Sequence, residues 1–351
     1  MKNILFTGGG SAGHVVPNLA LIEELLSAGK VSVSYIGTGG IEKQIVAEWK
    51  LPFYQIECPK LIRKGGFQGL KNNLAIPFAF RRAVKQAEEG IRQFQPTVVF
   101  SKGGFVALPV LCAAHRLGIP CFTHESDFSP GLANKIGARW CKRVFTSFPE
   151  TAKKFRRGIY VGAPIKRSVL SASRAESRLR LGIEFNAKVL LIFGGGSGSR
   201  DINDAVRKSL KSLTEKYVVL HVCGKGNTVK NTLKNYHQFE FVADMGTLYA
   251  ACDVVLSRAG AGALFEILAL KKPSLLIPLE GQTRGDQLEN ASYFQRRGLC
   301  RILRQNNLSA LVTEVDNTFL DDGLKARLKE HAFTAGNTQI LQALNEELAR
   351  E

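Results

Sequence analysis

Short apolar runs alternate along this chain with longer amphipathic stretches. In the first half, Ile4–Thr7, Val31–Ile36, Phe53–Ile56, Val98–Ser101, Cys121–His124 and Val144–Ser147 read as strands. The stretches between them carry helical spacing. Pro17–Ala28 has a proline near its start and Gly29 just past its end. Leu70–Arg92 reads as one helix interrupted at Pro77. A second series follows Gly162-Ala163-Pro164, with strands at Val189–Phe193, Val218–Val222, Phe239–Val242, Val254–Ser257, Ser274–Ile277 and Arg301–Leu303. Its helical patterns include Gly262–Leu270 and Asp286–Arg297. Such alternation predicts an α/β protein made of parallel sheets with helices on both faces. The expected domains are 1–162 and 163–335, with a terminal helix over 336–351 crossing back onto the first.

The run Gly8-Gly9-Gly10-Ser11-Ala12-Gly13-His14 follows the first strand, and Gly194-Gly195-Gly196-Ser197-Gly198-Ser199 follows the first strand of the second series. Glycine allows a sharp turn and lets backbone N–H groups approach a ligand with no Cβ in the way. A helix N-terminus just beyond adds partial positive charge, so each loop is a candidate diphosphate or sugar cradle. Duplication implies two Rossmann-like domains facing a cleft. A nicotinamide site is disfavoured, because the second strand ends in Gly37-Thr38-Gly39-Gly40 and the nearest acid, Glu42, already lies in the next helical stretch. The bland alternative is a glycine turn that only lets helix pack on strand.

Composition narrows the class. The 351 residues are 45% apolar and 22% charged, enough for two folded domains. No stretch approaches the roughly 20 apolar residues of a membrane span, and a strand pattern starting at residue 4 leads us to expect no secretory signal. Seven cysteines without a C-x-x-C pair argue against a disulfide framework and a zinc site. The net charge of +18 is uneven: residues 1–165 hold 22 Lys and Arg against 10 Asp and Glu. Between Cys58 and Ala87 there are seven basic residues, Lys60, Arg63, Lys64, Lys71, Arg81, Arg82 and Lys85, and no acid. Ile76, Phe78 and Phe80 are interleaved with them. Basic and apolar residues together suit anionic lipid headgroups. No nucleic-acid motif accompanies the charge, and a solvated face over a core helix is the plain alternative.

Ligands of open α/β sheets bind beyond the carboxyl ends of the strands. Both glycine loops, His124-Glu125 and Arg258–Glu266 fall at such ends. The chain has no D-x-D with which to hold a metal against a departing nucleotide diphosphate. Backbone N–H groups, helix N-termini and basic side chains must then hold it, and Arg258-Ala259-Gly260-Ala261-Gly262-Ala263 fits that need. Glu266, one turn in, can accept from two adjacent hydroxyls, as on a ribose.

Five segments carry a resemblance: Gly8–Asn18; Ser101-Lys102-Gly103-Gly104-Phe105; His124-Glu125-Ser126-Asp127 leading to Pro130–Lys135; Ser257–Glu266; and Asp286-Gln287 leading to Asn290-Ala291. In this order they resemble the MurG family, the membrane-associated transferases that add N-acetylglucosamine (GlcNAc) from UDP-GlcNAc to lipid I in peptidoglycan synthesis. The resemblance implies a two-domain GT-B fold and inversion at the anomeric carbon, with neither metal nor cofactor. It implies a lipid-linked diphosphate acceptor, no nucleic acid, and a peripheral place on the cytoplasmic face of the inner membrane. By it, Ser11, Ala12 and Gly13 lie beside donor sugar and acceptor, and Val242 meets the uracil. Ala261, Gly262, Ala263, Leu264, Phe265 and Glu266 meet diphosphate and ribose, and Gln287 meets the GlcNAc.

Four positions depart from the usual family form. Gly196 replaces a serine, leaving Ser197 or bare N–H groups for the phosphate. Lys166 replaces an arginine, a point charge for a bidentate fork. Asp127 stands where many members have asparagine, and Asp286 where glutamine is usual. His14 is a candidate base for the acceptor hydroxyl, since imidazole titrates near neutrality. Asp127 and Glu125 are rival bases. Another UDP-sugar transferase, a UDP-GlcNAc epimerase on the same fold and a non-catalytic basic binding protein are the competing functions.

Overall fold

The computed structural model describes residues 2–29, 31–59, 76–281 and 286–350. The chain divides into two compact units, Met1–Pro164 with Ala335–Glu351, and Ile165–Thr334.

Unit 1 holds a seven-stranded parallel sheet in the order β3-β2-β1-β4-β5-β6-β7. The strands are β1 Asn3–Thr7, β2 Ser32–Gly37, β3 Phe53–Gln55, β4 Val98–Ser101, β5 Cys121–Glu125, β6 Arg143–Thr146 and β7 Gly158–Tyr160. Successive side chains point to opposite faces, and both faces are covered. Ile4, Phe6, Val98, Phe100, Phe122 and Phe145 enter one buried cluster, while Leu5, Val99, Cys121 and Val144 enter another on the far side. Continuous apolar runs are what a sheet buried on both faces requires. The helix Asn337–Ala349 belongs to this unit: Ile340, Ala343, Leu344 and Leu348 join the first cluster beside Leu21 and Leu25. Lys142 also pairs with Glu347 at 2.7 Å.

Unit 2 holds a six-stranded parallel sheet in the order β10-β9-β8-β11-β12-β13. Its strands are β8 Val189–Phe193, β9 Val218–Val222, β10 Tyr236–Phe239, β11 Val254–Ser257, β12 Ser274–Leu276 and β13 Arg301–Ile302. In both sheets the strand order reverses beside the strand that carries a glycine loop: between β1 and β4, and between β8 and β11. That reversal opens a crevice at the carboxyl ends.

Several expectations are corrected. The first helix spans Ala12–Ser27 and starts five residues before Pro17, which sits inside it. Proline has no N–H to give, so the Gly13 carbonyl lacks its helical partner. The third strand-like run of the second half, expected at Phe239–Val242, is displaced: β10 is Tyr236–Phe239, because Tyr236 buries its ring and pairs with Val219. Val242 therefore lies past the strand. β7 was not expected, being a three-residue edge strand with little apolar signal. Pro77 lies in the first turn of the helix Ile76–Phe94, where a missing N–H costs nothing. Residues 60–75 of the basic stretch lie outside the described residues. In that helix Phe80 faces the core beside Val84 and Ala87, while Phe78 is 75% exposed. Two residues at 100° each put them on opposite faces, so Phe80 is not a membrane contact.

Unit 2 is tied together at the end of its sheet opposite the crevice. The Arg178 side chain is buried. Its guanidinium donates to the carbonyls of Ala251 (3.0 Å), Glu184 (3.1 Å) and Ala187 (2.9 Å) and to Asp253 Oδ2 (3.0 Å). Asp253 in turn accepts the Val189 N–H at 2.8 Å. The starts of β8 and β11 are thereby locked to one cation. Removing Arg178 leaves its buried carbonyls unanswered, while Asp253 keeps its pair with Arg174 at 2.7 Å and the Val189 N–H. Arg178→Ala should cost about 3–5 kcal/mol in urea unfolding; a loss below about 1 kcal/mol would show that water substitutes for the guanidinium.

Candidate active site

In unit 1 the crevice is built from the ends of β1, β4 and β5. Gly8 and Gly10 have φ of +150° and +81°, and a Cβ on Gly10 would meet the Phe105 ring at 2.5 Å. From β4, Gly104 approaches so closely that a Cβ there would lie 2.5 Å from the Gly9 carbonyl oxygen and 3.2 Å from His14 Nδ1. Only glycine permits this contact between loops of adjacent strands. Ser11, Ala12, Gly13 and His14 then open the helix Ala12–Ser27 at the crevice. Ser11 and Gly13 are exposed, and Ser11 Oγ lies 3.0 Å from His14 Nδ1. A hydroxyl on one ring nitrogen fixes the imidazole and directs the other nitrogen elsewhere.

The supports of this loop are buried polar groups. Tyr35 donates its hydroxyl to the Gly8 carbonyl at 2.6 Å, and Asn18 reaches Tyr35 and the Thr7 carbonyl, each at 3.1 Å. Glu42 is fully buried. Its carboxylate accepts from the Gly10 N–H (3.1 Å), the Thr38 N–H (3.0 Å) and the Thr38 hydroxyl. A carboxylate saturated by donors tolerates burial. Glu42 was noticed in the sequence only as a ribose ligand in the wrong place; it holds the loop instead. Its position two residues after a Thr-Gly-Gly turn is a helix-start signal, but its reach to Gly10 is tertiary and has no sequence mark.

Glu125 and Asp127 part company. Glu125 is buried, and its carboxylate accepts from the N–H groups of Asp127 (3.0 Å) and Gly131 (2.8 Å) and from Asn134 Nδ2 (2.9 Å). Those bonds hold the turn after β5, so Glu125 is a brace and not a base. Asp127 is half-buried at the mouth of the crevice. His124 donates to the Gly162 carbonyl at 2.9 Å, and burial with Lys102 nearby holds it well below the usual imidazole range, hence neutral. His14 and Asp127 sit on loops two strand spacings apart, about 10 Å at the strand level.

In unit 2 the second glycine loop has the same frame. Gly195 and Gly198 have φ of +97° and +76°, and a Cβ on Gly198 would lie 2.0 Å from the Cys223 carbonyl oxygen. Gly196 and Ser197 are exposed at its tip. Below it, His221 contacts Tyr236 Oη at 2.9 Å and Asn203 Oδ1 at 3.0 Å, and Asn203 donates to the Cys223 carbonyl at 2.9 Å. Burial pushes His221 down to about 4, so this brace is uncharged at neutral pH.

The helix Ala261–Ala269 starts at the crevice with Gly260 as its cap. The first intrahelical bond is that of Leu264 N–H to the Gly260 carbonyl, at 3.0 Å, so the N–H groups of Ala261, Gly262 and Ala263 remain as donors at a positive helix end. Leu264 and Phe265 do not face the crevice. Leu264 is fully buried, and Phe265 packs edge-on against Phe294 at 5.6 Å. Arg258 also departs from expectation as a ligand-facing cation. Its guanidinium donates to Ser199 Oγ (2.8 Å), Asp201 (3.1 Å) and the Ile277 carbonyl (3.2 Å), which clamps the two loops of the crevice together. Glu266 takes a hydrogen bond from Tyr249 Oη at 3.0 Å. Burial raises its carboxyl to about 7, against the lowering effects of that bond and of Lys166. Lys166, half-buried ahead of the helix Arg167–Ser171, is the cation nearest in influence. Gln287 Oε1 accepts the Leu279 N–H at 3.0 Å, which turns its amide nitrogen into the end able to donate elsewhere. Val242 lies beyond the edge strand β10, half-buried. Among the described residues no group of three His, Cys, Asp or Glu could hold a metal ion.

One crevice presents an imidazole and a carboxylate, the other open N–H groups and the Glu266 carboxyl. Residues 4–146 match the glycosyltransferase family 28 N-terminal domain and residues 189–344 its C-terminal domain. The chain belongs to glycosyltransferase family 28. Family 28 relatives extend over nearly the whole chain. The UDP-N-acetylglucosamine–N-acetylmuramyl-(pentapeptide) pyrophosphoryl-undecaprenol N-acetylglucosamine transferase of Clostridium botulinum (strain Langeland) is 44% identical over 88% of both chains. A protein of the same name, numbered 2, from Bacillus thuringiensis subsp. konkukian is 41% identical over 94% of this chain and 96% of its own. Among solved structures, MurG of Acinetobacter baumannii superposes with a TM-score of 0.75 at 24% identity, covering 99% of this chain and 100% of that one. The calicheamicin glycosyltransferase CalG4 gives 0.73 at 16% identity, covering 100% and 99%. Both are similar in fold.

The Glu266 carboxyl gives a pH test. A carboxyl raised in the folded state contributes stability below its unfolded pKa, near 4.5, which is lost as pH rises through about 7. Relative to Glu266→Gln, the parent should lose stability between pH 4.5 and 7.5 in thermal unfolding. A difference that stays flat with pH would mean that water reaches the carboxylate.

Proposed function

We propose that this protein transfers GlcNAc from UDP-GlcNAc to the C4 hydroxyl of the MurNAc residue of lipid I, forming lipid II, with inversion and without a metal. The observation that carries this reading is the near-full-length identity, 44% and 41%, to transferases named for that acceptor and that sugar. The geometry of each unit fits its half of the reaction. In unit 2 the ribose diol binds Glu266 and the diphosphate meets the N–H groups of Ala261–Ala263 and of the Gly196-Ser197 tip. Gln287 turns its amide to the GlcNAc, and Val242 marks the uracil end. In unit 1 the acceptor hydroxyl gives its proton to His14.

The step is a single displacement. The acceptor O4 forms a bond to the anomeric carbon from the face opposite the phosphate, and the bond from that carbon to the diphosphate oxygen breaks. UDP departs with the electron pair. Helix N–H groups aimed at the charge that develops on the leaving oxygen are worth most in the transition state, and a helix end adds about half a positive charge.

Membrane docking is the second part of the proposal. On the helix Ile76–Phe94, Phe78, Arg81, Arg82 and Lys85 form an exposed face, opposite buried Ala83, Val84 and Ala87. Ile76 is half-buried at its edge. Arg82 lies 3.2 Å from Glu57, with both side chains more than 60% exposed, and such a pair is worth little. Each basic residue near an anionic surface adds about 1 kcal/mol, and a fully inserted phenylalanine about 1.5–3 kcal/mol. Among the described residues no helix is long and apolar enough to cross a membrane, so the docking proposed is peripheral, on the cytoplasmic face.

Incubation with UDP-GlcNAc and a lipid I analogue in EDTA tests the chemistry. UDP release that requires the acceptor is expected. Release of free epimerised sugar would assign an epimerase, and loss of activity restored by magnesium or manganese would overturn the metal-free reading. For docking, Phe78→Ser and, separately, Arg81→Glu with Arg82→Glu should reduce sedimentation with anionic liposomes, while turnover of a short-chain soluble acceptor persists. Sedimentation equal to the parent in both would refute this face as the docking surface.

A further inference from the structure

Tyr249 is fully buried, and its hydroxyl donates to Glu266 Oε2 at 3.0 Å. Two neighbours leave the phenol no freedom to move away. Its ring stands edge-on to Phe193, the last residue of β8, with centroids 5.9 Å apart and planes at 85°. Its helix, Met245–Ala251, lies so close to the helix Arg167–Ser171 that a Cβ on Gly246 would be 2.6 Å from the Ser168 carbonyl oxygen. Burial, and after it the Glu266 charge, hold the phenol well above its usual range. The hydroxyl therefore keeps its proton and stays a donor. Among the described residues this is the one hydrogen bond to the Glu266 carboxyl, and it ends on Oε2. Oε1 has no such partner and is not enclosed. Each carboxylate oxygen has two acceptor sites, so a pair of hydroxyls can still bond across both oxygens.

We propose that Tyr249 is a positioning residue: it aims the Glu266 carboxylate at the ribose diol, and the pair makes the donor site select nucleotides that carry both ribose hydroxyls. This rests on the reading of Glu266 as the ribose ligand above. A glutamate side chain turns about three bonds, and ordering it when a ligand arrives costs entropy. A hydroxyl fixed in the core orders it beforehand, which is preorganisation. A site built to bond a hydroxyl rejects the analogue that lacks it, because its own polar group is then left unpaired. The same bond acts on the charge. Burial raises the Glu266 carboxyl to about 7, and the Tyr249 bond is the larger of the two effects opposing that rise, ahead of Lys166. Tyr249 thus favours the ionised form, which accepts from hydroxyls more strongly than the neutral acid.

Calorimetry with UDP and with 2′,3′-dideoxy-UDP on the parent, Tyr249→Phe, Glu266→Ala and the double variant tests this, together with donor KM and kcat. The parent should bind UDP about tenfold or more tightly than dideoxy-UDP, the scale of hydrogen bonds to a charged group. Tyr249→Phe should weaken UDP by about fivefold and dideoxy-UDP by less than about twofold, because only the diol uses the aimed carboxylate. Its donor KM should rise by a similar factor while kcat stays near the parent value, the pattern of binding lost equally from ground and transition states. With Glu266→Ala already present, adding Tyr249→Phe should leave UDP affinity unchanged, since the effect passes through Glu266. Equal weakening of both nucleotides by Tyr249→Phe, or the same loss of UDP affinity with and without Glu266, would mean a packing role and overturn the inference. Should the parent bind UDP and dideoxy-UDP alike, the ribose reading of Glu266 fails and this inference fails with it. Discrimination that survives intact in Tyr249→Phe and is lost in Glu266→Ala keeps that reading and rejects the part given to Tyr249.

Discussion

Both units depend on one steric constraint, the meeting of two backbones with no side chain between them, across the reversal of strand order from β1 to β4 in unit 1 and beside it, from β8 to β9, in unit 2. In unit 1 it is Gly104 against the Gly9 carbonyl, and in unit 2 Gly198 against the Cys223 carbonyl. A methyl group at either place would push apart the loops that line a crevice. Parallel strands about 4.8 Å apart bring successive loop ends within reach of one another, and the absent Cβ turns that reach into contact. The two glycine loops owe their shape to this contact, and the helices that follow owe their entry angles to the loops.

Similar frames are braced differently, and the difference sets the chemistry. Under the first loop lies a carboxylate, Glu42, which takes the Gly10 N–H for itself. That donor is spent on the protein, and what the loop offers outward is the Ser11–His14 pair. Under the second loop lies an uncharged brace of Asn203, His221 and Tyr236 that takes carbonyl and side-chain partners, not the N–H groups of the tip. Arg258, itself saturated, draws the second loop toward the end of β12. One crevice thus presents a serine and an imidazole, the other open backbone N–H groups.

The strands were legible because a sheet buried on both faces demands unbroken apolar runs; Val98–Ser101, Val189–Phe193, Val218–Val222 and Val254–Ser257 carry the expected bounds. Where polar residues enter a strand, as in Tyr236-His237-Gln238, the pattern points too far along the chain. Giving Phe78 and Phe80 the same membrane role ignored the 100° step of a helix. The loops and Glu266 were visible as small residues and an acid at strand ends. The buried charges were not. Glu42, Lys102, Arg178 and Arg258 look like surface residues in a sequence, because what makes their burial tolerable is a partner supplied from another strand. Roles given to Glu125 and Arg258 failed for the same reason: a polar side chain at a crevice can face inward to hold it.

The division of labour between the loops is the central claim, and donor affinity measured by calorimetry on Gly198→Ala and Gly104→Ala tests it most directly. A Cβ on Gly198 strikes a backbone carbonyl at 2.0 Å, one on Gly104 at 2.5 Å, both at positive φ, so each substitution displaces its own loop. Gly198→Ala should abolish UDP-GlcNAc binding. Gly104→Ala should bind UDP-GlcNAc like the parent and fail to transfer the sugar. Equal loss of donor affinity in the two variants would contradict the account.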